Sequence, residues 1–208
     1  MTSYAGIQIL QCSACTGHVK RHLLASGNNL GARYWTDGWQ DAPMMPEQPA
    51  LVKCPHCRAL VWIDDLEELA ELDRFMDSDP EYPGAMEYTE LAANDYLQYA
   101  NEHADLPENR QLYVRMYAWW RSNDARRDAE KPAAPTDEER NNMIKLAALL
   151  NLDDDNDRIM RAEIMRQLGE FTAAKEILKG SFSEEMQRAV EIIRNLTEKQ
   201  VSPVAEMN

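Results

Sequence analysis

Cys12-Ser13-Ala14-Cys15 and Cys54-Pro55-His56-Cys57 contain all four cysteines of this 208-residue chain, with 38 residues between the two pairs. Two thiolates separated by two residues can point to one centre, and two such turns supply the four sulfur ligands of a tetrahedral zinc ion. Short apolar runs flank both pairs, and such runs are typical of strands. The sequence therefore predicts a small zinc ribbon that depends on one structural zinc ion. Its expected ligands are Cys12, Cys15, Cys54 and Cys57.

Two other uses of the cysteines fit the sequence less well. The second pair resembles the active-site motif of thioredoxin-like disulfide oxidoreductases, in which a helix follows the cysteines. Residues 58–63, Arg-Ala-Leu-Val-Trp-Ile, instead favour a strand. A catalytic zinc ion needs an open position for water, and four thiolates leave none. The histidines are expected outside the metal shell: His18, His22, His56 and His103.

Charge divides the chain into two parts. The whole chain has 36 acidic and 22 basic side chains, for a formal net charge of −14. Residues 1–60 have five basic and three acidic side chains, whereas residues 61–110 have two basic and fifteen acidic ones. Because nucleic-acid binding draws most of its affinity from Lys and Arg, the acidic part is not expected to bind it. The basic residues of the first part leave a nucleic-acid-binding ribbon open: Lys20, Arg21, Arg33, Lys53 and Arg58.

The sequence also indicates a location and a broad class. No apolar run approaches the roughly 20 residues that a membrane-spanning helix needs, and the N-terminus lacks the basic and apolar regions of a signal peptide. We therefore expect a cytoplasmic protein whose cysteines stay reduced. No Ser-His-Asp set, phosphate-binding loop or catalytic carboxylate pair stands out, so the chain is not expected to be an enzyme.

The predicted fold class is α+β, mainly α. A small N-terminal zinc-ribbon β subdomain, residues 1–63, is expected to precede an α-helical body. The body consists of an acidic helical segment over residues 64–130, a linker over 131–135 and a second helical segment over 136–208. The linker is indicated by its composition, Lys-Pro-Ala-Ala-Pro.

In the acidic segment, three helices are expected. Leucines at every third position predict the first, from Asp64 to Met76, and Asp79-Pro80 would end it. The second is expected from about residue 86 to 104, and Pro107 is typical of the first turn of the third. Arginines surround Trp119-Trp120 on this third helix: Arg110, Arg115, Arg121, Arg126 and Arg127. Internal ion pairs are the favoured interpretation, and a pocket for an acidic or phosphorylated group is the alternative.

The second helical segment carries the clearest helix signals. Thr136 and Glu139 form a capping-box pattern, and the acidic run Asp153–Asp157 is expected to cap the next helix. Residues 162–178 then resemble a tetratricopeptide helical hairpin. The residues that match the family pattern, in order, are Ala162, Met165, Gly169, Phe171, Ala174 and Leu178. Arg158 and Arg161 occupy the family's tryptophan and leucine positions. A last helix is expected over about 183–199.

The insertion between the cysteine pairs contains Trp35-Thr36-Asp37-Gly38-Trp39, and Asp37-Gly38 predicts a hairpin turn. Trp35 and Trp39, together with Met44 and Met45, are expected to cover the small core of the ribbon, and an exposed apolar patch is the alternative.

The layout as a whole is similar to bacterial zinc-ribbon/helical proteins, which implies a scaffold without catalytic residues. The leading hypothesis is a non-enzymatic zinc-binding adaptor whose helical surface binds another protein. An acidic inhibitor or immunity-type protein that neutralises a basic enzyme is the second hypothesis. A nucleic-acid-binding zinc ribbon is the third.

Overall fold

The computed structural model describes residues 2–73, 75–76 and 80–207. The chain has a mixed α+β fold with an N-terminal sheet, and it divides into two compact units. The sheet unit comprises Met1–Ala32 and Ala42–Leu91, and the helical unit comprises Arg33–Asp41 and Ala92–Asn208. These bounds correct the boundary expected near residue 63 in two ways. Residues 33–41, inside the predicted ribbon, belong with the helices, and residues 64–91, inside the predicted acidic helical segment, belong with the sheet.

Eight strands occur in the described residues: β1 (Ser3–Gln11), β2 (His18–Ser26), β3 (Arg33–Tyr34), β4 (Gln40–Asp41), β5 (Leu51–Lys53), β6 (Leu60–Trp62), β7 (Glu67–Asp73) and β8 (Met86–Glu87). All except β3 and β4 belong to the sheet unit. Four of them form one sheet in the order β7-β1-β2-β8, in which β1 is antiparallel to β2 and to β7. Strands β5 and β6 pair with each other as a separate antiparallel hairpin.

The apolar runs beside the two cysteine pairs form strands, as predicted. Several of their side chains join the first cysteine of each pair and neighbouring residues in one buried cluster: Leu10, Cys12, Val19, Val52, Cys54, Val61, Ile63 and Leu66. Ile7 and Ile9 belong to a second cluster, with Leu72 and Ala85. With so few apolar residues, the first cluster is small for a stable core, which is why a bound metal would matter to the sheet unit.

The helix predicted from Asp64 to Met76 is wrong. Residues Ile63–Asp65 form one turn of 3-10 helix, and β7 follows directly. The predicted helix end at Asp79 lies outside the described residues.

A β-bulge explains why this segment has a helix-like pattern. Ile9 of β1 pairs with Ala70, and the next residue, Leu10, pairs with Glu68, so Leu69 is the extra residue of β7. Leu69 and Leu72, three residues apart, both pack on the cluster that contains Ile7 and Ile9, and this spacing of three imitates a helical stripe. The pairing of β7 with β1 therefore overrides the local pattern.

The new bounds also change the distribution of charge. The sheet unit contains five basic and twelve acidic side chains, and all twelve lie between Glu47 and Glu90. The first 60 residues have a slight positive balance, but the folded unit to which most of them belong is strongly acidic.

The helical unit contains six α-helices in the described residues: α1 (Ala93–Glu102), α2 (Glu108–Arg127), α3 (Asp137–Leu149), α4 (Asp155–Gln167), α5 (Phe171–Ile177) and α6 (Gln187–Glu198). Each helix packs against the next one along the chain. Within the described part of the chain, no helix combines the length and apolar character needed to cross a membrane.

The helix boundaries agree with the predictions in most places. Helix α2 begins directly after Pro107, and residues 131–135 form neither helix nor strand. The helix expected from about residue 86 begins only at Ala93, because Met86–Glu87 pair with β2 and Thr89 bridges to Lys53.

The predicted caps of α3 and α4 are confirmed. Thr136 Oγ1 accepts the N–H of Glu139 at 3.3 Å, and the Glu139 carboxylate accepts the N–H of Thr136 at 2.7 Å. At α4, Asp154 Oδ1 accepts the N–H of Asp157 at 3.0 Å. These bonds satisfy backbone donors that a helix N-terminus otherwise leaves unpaired.

The hairpin predicted at Asp37-Gly38 is confirmed, but the role expected of its tryptophans is wrong. Strand β3 pairs with β4, and Gly38 takes a φ of 82° that favours glycine. Trp35 is buried within the helical unit, and the Trp39 ring lies 5.4 Å from that of Trp120. The two rings therefore pack within the helical unit, to which the whole hairpin belongs.

A buried polar network that was not among the predictions holds this hairpin. Glu163 and Arg166 of α4 are both fully buried and form an ion pair at 2.5 Å. The Thr36 hydroxyl donates to Glu163 at 2.7 Å, and Arg166 donates to the carbonyl groups of Val201 and Pro203. One charged pair on α4 thus secures both the hairpin and the C-terminal segment.

The opposite side of the hairpin is held by Asp37. Its carboxylate accepts hydrogen bonds from Asn123 at 2.9 Å and from Arg127 at 2.6 Å, both on α2. Burial is the largest influence on Asp37 and raises its pKa to about 6, against the lowering effect of Arg127.

Candidate metal centre

The first cysteine pair lies in the turn between β1 and β2. The N–H of Cys12 donates to the carbonyl of Gly17 at 2.9 Å, and the N–H of Thr16 donates to the carbonyl of Cys12 at 2.9 Å. Thr16 has a positive φ of 57°, which reverses the chain after Cys15. The turn therefore holds both sulfur atoms on one side.

The second pair repeats this geometry between β5 and β6. The N–H of Cys54 donates to the carbonyl of Ala59 at 2.9 Å, and the N–H of Arg58 donates to the carbonyl of Cys54 at 3.0 Å. Arg58 has the corresponding positive φ, at 67°. The chain thus builds the same knuckle twice, from two hairpins of the same unit.

The two knuckles bring the four predicted sulfur atoms together. Cys12 Sγ lies 3.9 Å from Cys57 Sγ, and Cys15 Sγ lies 3.8 Å from Cys54 Sγ. All four sulfur atoms lie within 4.8 Å of one another, and the cluster could hold a metal ion. In a tetrahedral site with bonds of about 2.3 Å, the sulfur atoms are about 3.8 Å apart. The close pairs in this cluster match that spacing.

Burial differs between the four thiols. Cys12 and Cys54 are buried in the core of the sheet unit, Cys15 is half-buried and Cys57 is exposed. The first cysteine of each knuckle therefore connects the cluster to the apolar core, and the second faces outward.

The protonation of the thiols follows these surroundings. The N–H of Ala59, helped by the neighbouring thiols, lowers the pKa of Cys57 to about 7. Burial raises the pKa of Cys54. The N–H of Gly17 acts to lower the pKa of Cys15, but the other thiols and burial together raise it to about 12. Four adjacent thiolates would need a cation to balance their charge, so metal binding at this cluster would release protons.

The histidines lie outside the cluster, as expected. Among the described residues, the four cysteines are the one group of three or more potential ligands that is close enough to hold a metal ion. His56 hydrogen-bonds through Nε2 to the carbonyl of His18 at 2.9 Å, and its ring packs on Gly17. His22 contacts Glu87, and His103 stacks on Tyr99.

The structure does not place a helix after the second cysteine pair. Strand β6 follows Cys57, as the sequence predicted. The helix N-terminus that lowers the pKa of the first thiol in thioredoxin-like enzymes therefore has no counterpart at Cys54.

Three of the arginines near Trp119 and Trp120 form internal ion pairs, which was the favoured interpretation: Arg121, Arg126 and Arg127. Arg127 contacts Asp124 at 2.5 Å, in addition to Asp37, and Arg126 contacts Glu139 at 2.6 Å. Arg115 is buried and donates to the carbonyl of Ala100 at 3.1 Å. Trp119 is buried, and the half-buried Trp120 donates through its indole N–H to the carbonyl of Asp37 at 2.9 Å.

Comparison of the chain with protein-family models, curated proteins and solved structures gave no match. Its function is therefore inferred from the geometry of its own residues.

Proposed function

We propose that this protein is a non-enzymatic cytoplasmic adaptor in which one structural zinc ion stabilises the sheet unit and the chain binds another protein. The four-sulfur cluster is the observation that carries the proposal. Its close sulfur–sulfur distances of 3.8 and 3.9 Å fit a tetrahedral zinc ion, and a cavity built from thiolates selects soft or borderline metals over Mg²⁺ and Ca²⁺. Four protein ligands fill the coordination shell, so the role of the metal is structural.

Metal analysis tests this proposal directly. Protein purified without chelator should contain one zinc ion per chain, and Cys54→Ser should lose it because a hydroxyl is a poor replacement for a thiolate. His56→Asn is the matched control: His56 lies between Cys54 and Cys57 in sequence but outside the cluster, so this variant should keep its zinc. Wild-type protein without zinc, or equal zinc loss in both variants, contradicts the proposal.

The helical unit supports the adaptor role. Helices α4 and α5 pack against each other as a hairpin around Gly169, which has a φ of 84°, and Ala162 and Ala174 on these helices are fully buried. This agrees with a tetratricopeptide-like repeat, and stacks of such hairpins are binding surfaces for other proteins. If the α4–α5 hairpin is one repeat of a stack, its stability depends on the helices that pack on it, and we expect it to unfold together with α3 and α6.

A nucleic-acid-binding ribbon is less well supported than a protein partner. Arg33, one of the five basic residues on which that hypothesis depended, belongs to the helical unit and pairs with Asp128 at 2.6 Å and Glu206 at 2.8 Å. The sheet unit itself has more than twice as many acidic as basic side chains. A gel-shift experiment at low salt should therefore show no binding to DNA or RNA.

A further inference from the structure

Strand β7 forms an outer edge of the four-stranded sheet. It pairs with β1 on one side, and within the described residues no strand pairs with its other side. Seven residues of strand present an edge about 23 Å long. The outward N–H and C=O groups of such an edge can bind a further strand.

The bulge in β7 gives this edge an acidic face. Glu68, Glu71 and Asp73 pair with Leu10, Gln8 and Gly6 of β1, which are alternate residues and therefore lie on one face. Without the extra residue at Leu69, this alternation would be broken. The three carboxylates consequently share a face of the sheet, while Ala70, Leu72 and Glu67 lie on the other.

These carboxylates are not neutralised within the described residues. All three residues are exposed, and none of their carboxylates forms an ion pair there. Gln8 donates to Glu68 at 2.6 Å, and the N–H of Phe75 donates to Asp73 at 3.0 Å, but both donors are neutral. Among the described side chains, therefore, none balances the negative charge of this edge.

We infer that the open edge of β7 binds an extended segment of another protein with Lys or Arg at alternate positions. Such a strand would place a cation beside each carboxylate on the shared face, and its backbone would pair with β7. A second copy of β7 would place carboxylates opposite carboxylates, which disfavours self-association. This inference rests on the proposed adaptor function, because it specifies the chemistry of the partner.

Two peptides of equal charge test the inference. Lys-Val-Lys-Val-Lys-Val-Lys has alternating cations, and Lys-Lys-Val-Val-Val-Lys-Lys has the same composition without the alternation. Titration calorimetry at low salt should show tighter binding of the alternating peptide. Hydrogen exchange should slow at β7 when that peptide is bound. Equal affinity for both peptides, or unchanged exchange at β7, would overturn the inference.

Two variants locate the binding face. Glu71→Gln removes the central carboxylate of the acidic face, and Glu67→Gln removes the same charge from the other face of the same strand. We expect Glu71→Gln to weaken binding of the alternating peptide roughly twofold to fivefold, as one cross-strand charge pair contributes, and Glu67→Gln to change it less. Equal weakening would show a diffuse charge effect and overturn the inference.

These outcomes are separate from the test of the zinc proposal. If the protein contains zinc but Glu71→Gln and Glu67→Gln weaken peptide binding equally, the structural-zinc proposal stands and the β7 docking site is contradicted. If the protein contains no zinc but only Glu71→Gln weakens peptide binding, the docking site stands and the structural-zinc proposal is contradicted.

Discussion

Replacing Glu163 by Gln should strongly destabilise the helical unit, far more than the removal of an exposed charge would. Glu163 is fully buried, and its two carboxylate oxygens accept four hydrogen bonds: from Thr36 at 2.7 Å, Gln167 at 2.8 Å and Arg166 at 2.5 and 2.8 Å. Glutamine is nearly the same size, so the change removes charge and one acceptor without opening a cavity.

The size of the effect follows from the buried charge that stays on Arg166. The guanidinium of Arg166 is also fully buried, and E163Q leaves its charge without a counterion. Removing one partner of a buried ion pair costs about 3–5 kcal/mol. A domain has a free energy of unfolding of roughly 5–15 kcal/mol, so this loss is a large fraction of the total.

Urea denaturation followed by tryptophan fluorescence measures this loss, since four of the five tryptophans belong to the helical unit. Glu176→Gln is the matched control: Glu176 pairs with Lys179 at the same i,i+3 spacing, but both side chains are more than 60% exposed. The control should lose at most about 0.5 kcal/mol. If E163Q loses less than about 1 kcal/mol, the buried pair does not hold the hairpin and the C-terminal segment in place.

Three further predictions concern stability. Gly6→Ala should cost about 1–3 kcal/mol in urea denaturation of the zinc-loaded protein, because the new Cβ would lie 2.5 Å from the carbonyl oxygen of Leu72; an unchanged midpoint would mean that β7 shifts freely. Thr136→Ala should cost about 1 kcal/mol in the same assay, since Glu139 loses its capping partner, and no loss would contradict the cap. Burial raises the pKa of Asp37 from 3.8 to about 6, so ionisation of this residue lowers the free energy of unfolding as pH rises from about 4 to 6. D37N lacks this ionisation, and its free energy of unfolding relative to wild type should therefore rise by up to about 3 kcal/mol across that window. If the difference between D37N and wild type does not change with pH, the pKa of Asp37 is not raised.

The two cysteine knuckles and the helix caps were predictable because local sequence determines them. A Cys-x-x-Cys turn needs only its own residues to aim two thiols, and Thr136 with Glu139 forms a cap within four residues. The turn at Asp37-Gly38 is local in the same way. Each of these features depends on a few adjacent positions.

Strand β7 and the tryptophan hairpin depend on distant residues and were not predictable in this way. The leucines of β7 fit a helix until β1 is known to pair with them across a bulge. The contacts of Trp39 lie on α2, about 80 residues further along the chain. The positive balance of the first 60 residues did not predict the charge of the sheet unit for the same reason. That unit excludes residues 33–41 and includes the acidic residues between 64 and 90.

The buried pair on α4 did leave a signal in the sequence. Glu163 and Arg166 are spaced so that they share a helix face with the apolar Ile159 and Ala162, where further apolar residues are expected. Two opposite charges at such positions indicate a buried pair. Its partner Thr36 lies 127 residues earlier and has no counterpart signal.

The interruption of the sheet unit by residues 33–41 has a consequence for synthesis on the ribosome. Thr36 emerges 127 residues before Glu163, and ribosomes add about 5–20 residues per second. Glu163 is therefore synthesised roughly 6–25 seconds after Thr36, and Trp35 and Trp39 stay exposed during this delay. All four cysteines have been synthesised once residue 57 is added. Metal binding at that stage would close the loop between Cys15 and Cys54, which contains Trp35 and Trp39, before α4 exists.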